Sequence, residues 1–140
     1  MDPGPPYDGY VYGYLAFDSF GNLWVTVDNR QADPEVHQIV ELSQTQFANL
    51  AVDDEPIPVF TINETPEQQA ENFPGWGAIA FDSAGNLWAG ASGPQPNLFR
   101  FSPASLADGG LPDIAIGVPT DASLSLAFDP IPPGLPLQQK

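Results

Sequence analysis

Apolar residues along this 140-residue chain come in short runs of about four to six, rich in Val, Ile, Phe, Tyr and Trp. Gly, Pro, Asn and Asp stand between the runs, which is the pattern of short strands joined by turns. In the first half the runs include 15–17, 23–27, 38–43 and 56–62; in the second they include 79–81, 87–91, 98–103 and 111–117. Seventeen prolines and thirteen glycines leave little room for helix. The two helical candidates, 43–51 and 103–110, are each a single turn after a third strand. The pattern predicts an all-β fold.

The two halves are copies. "FDSFGNLW" at 17–24 returns as "FDSAGNLW" at 81–88, and a third copy starts as "LAFDPIPPG" at 126–134. Four apolar segments follow in the same order in each half, and the length differences fall in the connections, where insertions are tolerated. Asp18 and Asp82 can accept from the amides of the turn that follows, and Gly21 and Gly85 supply the positive φ that closes a tight hairpin. Asn22 and Asn86 open the next strand, and Trp24 and Trp88 sit on it among apolar neighbours. Strands apolar on both faces are expected where sheets stack on sheets. Four antiparallel strands per unit, stacked face to face, make a β-propeller blade, with the tryptophans between blades. The expected organisation is a tail at 1–9, one blade at 10–75, a second at 76–122, and at 123–140 an extra first strand with a C-terminal tail. The third repeat decays without turn glycine or Trp, which suits a natural C-terminus.

The segment 79–117, with its weaker partner 15–62, resembles the bacterial β-propellers grouped as NHL-repeat, gluconolactonase-like and streptogramin-lyase-like proteins. The resemblance rests on the "IAFDSAGNLW" segment followed by "LFRFSP". The Gly-x-x-Trp spacing also resembles the Asp-box of sialidase-type propellers, but Asp18 and Asp82 stand three residues before the Gly where that box has two. The resemblance implies blades; for gluconolactonase-like enzymes it implies a divalent metal, usually calcium, held near the propeller axis by carboxylate and Asn ligands, and for streptogramin-lyase-like enzymes a His and Glu set with magnesium. One histidine and two blades do not reproduce either ligand set, so no catalytic residue carries over.

Two isolated blades would leave open faces and unpaired edges. The expected remedies are association with copies of the chain into a closed ring of three, an open filament built on the edges at 10–17 and 123–129, or further blades. Charge narrows the partners. With 3 basic against 18 acidic residues the formal net charge is −15, which repels nucleic acid and anionic membranes. No apolar run reaches the roughly 18 to 20 residues of a membrane-spanning helix. The absence of cysteine removes disulfides, thiolate metal sites and thiol nucleophiles. The N-terminus lacks the basic and apolar regions of a secretory signal, so the export that the resemblance suggests would require a processed form.

Candidate binding residues lie in the connections on one face. Trp76, on a Gly-rich link, is a candidate for stacking on a sugar, with Asn72 and Gln95 beside it; the alternative is a plug between blades. Arg30 can anchor a carboxylate or pair with Asp28 or Asp33. His37, with Glu35 nearby, is a candidate base or ligand against the simpler reading of a strand residue. The acidic 53–55 stretch fits no ordered calcium loop. The expectation is a non-catalytic binding or assembly module, with carbohydrate as ligand and no required cofactor. The alternative is a metal-dependent lactonase-like or lyase-like enzyme.

Overall fold

The computed structural model describes residues 10–49, 57–70, 73–91, 96–119 and 126. They form two four-stranded antiparallel sheets, each a meander in chain order. Sheet 1 holds β1 (Tyr10–Phe17), β2 (Leu23–Asn29), β3 (Val36–Leu42) and β4 (Phe60–Asn63); sheet 2 holds β5 (Trp76–Phe81), β6 (Leu87–Ala91), β7 (Leu98–Phe101) and β8 (Ile114–Ile116). The all-β expectation is thus met, with one meander per repeat. The predicted strand at 123–129 falls, except for residue 126, outside the described residues.

Each FDSxGN cassette is the hairpin joining the first two strands of its sheet. One carboxylate organises it. Asp18 accepts from the backbone N–H of Phe20 and Asn22 at 2.8 and 2.9 Å, from the Asn22 amide at 2.9 Å and from the Trp24 indole at 3.2 Å. Asp82 repeats all four bonds with Ala84, Asn86 and Trp88 at 2.8–3.0 Å. Gly21 and Gly85 sit at φ 83° and 81°, as the turn requires. The cassette is therefore a chemical unit: the Asp anchors the turn and pairs the Trp six residues on, so a large ring can be buried without an orphaned N–H.

Three short helices follow strands: α1 (Gln44–Asn49), α2 (Pro66–Ala70) and α3 (Pro103–Ala107). The first and third were expected from the sequence, and the second was not. Its start carries a capping box, in which Gln68 N–H donates to the Thr65 hydroxyl while the Gln68 side chain accepts from Thr65 N–H. Ser43 and Gln46 do the same at α1.

The sheets stack through unlike faces. Trp24, Ile39 and Ile62 of sheet 1 share one core with Trp76, Ile79, Phe81, Leu87, Phe99 and Phe101 of sheet 2. β5 lies against β1, β2 and β3, closest along β1. Trp24 meets Phe81 and Phe60 ring to ring at 5.6 and 6.0 Å. The other face of sheet 1 has its own buried cluster, Leu23, Val25, Val27, Val40 and Leu42.

Glu41 lies across from Trp24 on β3, at this seam. Burial, then the charge of Asp18, raise its pKa, and the Asn22 amide only partly offsets them. A carboxyl raised in the fold destabilises it as pH climbs from the ordinary value of 4.5 through the raised one. Glu41→Gln is accordingly expected to raise stability at pH 7 by about 0.5 kcal/mol, discounted for the half-open site, with the gain vanishing below about pH 4. Melting curves of both proteins across pH 3–8 check this, and a lower melting point for the variant at pH 7 refutes it.

Candidate functional site

His37 and Asp28 face one another across the β2–β3 hairpin. His37 is 6% exposed, and its Nδ1 lies 2.8 Å from Asp28 Oδ1. A carboxylate only accepts, so Nδ1 carries a proton, and in the neutral imidazole Nε2 is the acceptor. The backbone N–H of His37 donates to Glu64 Oε1, and Glu64, just beyond β4, is itself 8% exposed. Phe73 presents its ring to the imidazole edge at 6.0 Å between centroids.

Phe73 and Gly75, just before β5, lie against this pair. Gly75 adopts φ 98°, and a methyl group there would sit 2.9 Å from His37 Nδ1 and 3.2 Å from Asp28 Oδ1. Only glycine lets the backbone lie this close to the Asp–His hydrogen bond. In front of the imidazole a cleft of about 350 Å³ is lined by Pro34, Glu35, His37, Glu64, Gln69, Phe73 and Pro74. Its wall combines two acidic side chains with the imidazole, the Gln69 amide and apolar groups.

Trp76 is not at the surface. It opens β5, is 6% exposed, and packs edge-on against Phe73, Phe99 and Phe101 at 4.9–5.9 Å. It fills the gap between the sheets, and among the described residues its buried indole N–H has no partner. The stacking platform on which the carbohydrate expectation was built is therefore in the core. Asn72 and Gln95 lie outside the described residues. Arg30 is exposed on the β2–β3 turn and, among the described residues, makes no ion pair; Asp28 is taken by His37 instead. Of the sequence candidates among the described residues, His37 lines the cleft, with Glu35 beside it. Asp28, Glu64, Phe73 and Gly75 are the partners that sequence reasoning missed.

Among the described residues no group of three His, Asp or Glu side chains is placed to hold a metal ion, and no helix is long and apolar enough to cross a membrane. The cleft offers an imidazole nitrogen, carboxylate oxygens and an apolar aromatic ring. That set can accept hydrogen bonds and attract positive charge. Comparison with protein-family models, with curated proteins and with solved structures finds no match to this chain.

Proposed function

We propose that the chain is a pair of β-propeller blades that associates with copies of itself and serves as a non-catalytic binding module. The observation that carries this reading is the unlike-face stacking of two repeats. Sheet 1 docks the face bearing Trp24 onto the face of sheet 2 bearing Trp76, Ile79 and Phe81. Because the units are copies, sheet 1 owns a face of the second kind, and sheet 2 owns a face of the first kind with Trp88, Leu98 and Ile114 on it.

The innermost strands point the same way. Tyr12 and Leu15 on β1 hold the positions of Trp76 and Ile79 on β5, yet they are 53% and 61% exposed where Ile79 is 5%. Of that face of sheet 1, the β1 part is exposed for a next unit, while Val25, Val27 and Val40 on β2 and β3 are already buried within the chain. A head-to-tail contact of this kind continues from molecule to molecule and ends when rotation closes a ring. Six blades need three chains.

Absolute mass by light scattering on a sizing column is the test. The expected result is a discrete species of three 15.0 kDa chains whose mass does not change with concentration. Leu15→Asp, on an exposed position, is expected to return it to a folded single chain. A wild-type protein that runs as one chain at every concentration overturns self-association, and open-ended large particles favour a filament over a ring.

A further inference from the structure

We infer that the cleft in front of His37 binds a small organic cation, a primary or secondary alkylammonium group. The inference rests on the binding-module reading and names the ligand chemistry for it.

Glu64 is more than nine-tenths buried, yet among the described residues it has no cationic partner. One of its oxygens takes the His37 amide, and neither is sealed off without a partner, so the carboxylate retains acceptor capacity in the cleft it lines. A buried carboxylate balanced by one neutral N–H is costly, and a cation placed beside it removes that cost. Glu35 adds a second negative charge on the rim.

Two further groups select an ammonium over a bare ion. His37 is equally buried, lines the cleft, and has no partner for Nε2 among the described residues. Asp28 fixes its tautomer so that Nε2 can accept from an N–H. Phe73 gives the cleft an apolar wall against which the alkyl chain can pack. A metal is disfavoured because no three ligating side chains converge among the described residues, and an anion because every charged group on the wall is acidic. The volume of about 350 Å³ admits an amine with a short alkyl chain.

Titrating the full isotope-labelled chain with n-butylammonium chloride, in about 0.15 M salt to screen surface charge, tests this by amide chemical shifts. Saturable shifts confined to His37, Glu64, Phe73 and Gly75 are expected. Tetramethylammonium, which cannot donate to Nε2, should bind on the order of tenfold more weakly. Glu64→Gln should weaken binding roughly tenfold and the exposed Glu35→Gln roughly threefold, so the second variant decides the matter if the first fails to fold. Non-saturating shifts spread over the acidic surface overturn the inference. So do the same cleft shifts produced by calcium chloride alone or by glucose, or an unchanged affinity in Glu35→Gln. None of these results alters the mass measurement, so the cleft and the assembly are tested separately.

Discussion

Asp18→Ala is expected to destabilise the protein by about 3 kcal/mol, and Asp82→Ala by about 2 kcal/mol, although the two residues make the same four hydrogen bonds. The inequality follows from what each carboxylate serves. Trp24 is buried in the core between the sheets, so its indole N–H would be orphaned away from water. Trp88 is half-buried on the other face of sheet 2, where water can replace the lost acceptor. The turn amides lose the same partner in both hairpins and account for the shared part of the cost.

Asparagine should fall between aspartate and alanine at either site. Its oxygen can still serve the two backbone donors, but its amide then meets the Trp and Asn donors head on. Urea unfolding of the four variants gives the order, and equal losses at the two sites refute the argument. At Asp82 the charged form is opposed by burial, but the bonds from Asn86, Trp88 and the two backbone amides outweigh it and lower the pKa. A carboxylate depressed in the fold contributes above its ordinary value of 3.8 and stops contributing as pH falls through the folded value. The gap between the wild type and Asp82→Ala should therefore narrow below about pH 4.

The repeat made most of the fold legible, because a cassette that occurs twice separates what a hairpin requires from what varies. Asp, Gly, Asn and Trp are common to both copies, and the structure gives each a partner or a backbone angle. The site was less legible because its contacts cross the chain. His37 has Glu35 beside it in sequence and Asp28 beside it in space, and only the register of the β2–β3 hairpin tells them apart. Register depends on how many residues the turn consumes, which "DNRQADPEVH" does not reveal.

Trp76 teaches a different lesson. Aligning the cassettes already places it opposite Tyr12, on a strand, yet the glycines around it read as a link. The bulge between Trp76 and Ile79 breaks the alternation that would have marked it as a core residue. Glu64 and Phe73 carry no local signal at all. Their roles come from tertiary placement, which brings Glu64, just after β4, and Phe73, just before β5, to His37 on β3.

The link into β5 turns on Gly75, where alanine is expected to cost about 3–4 kcal/mol, and a second glycine in the same chain separates the causes. Gly109 has the same φ of 98°, but a methyl group there would meet nothing within 4 Å. Gly109→Ala should thus cost only the backbone strain of a left-handed residue, about 1–2 kcal/mol. Gly75→Ala adds a contact at 2.9 Å with His37 Nδ1, which can be relieved only by moving the imidazole or the link. Either movement lengthens the bond to Asp28 and exposes a charge-assisted hydrogen bond, a loss of about 1.5–3 kcal/mol. Urea unfolding of the two variants isolates that second part, since the backbone part is common. Because the clash is with the imidazole, truncating the ring in His37→Ala/Gly75→Ala should make the Gly75 substitution nearly as mild as the one at Gly109. Equal costs for Gly75→Ala and Gly109→Ala in the wild-type background would mean that the link yields freely, and that the pair in the cleft is not held by it.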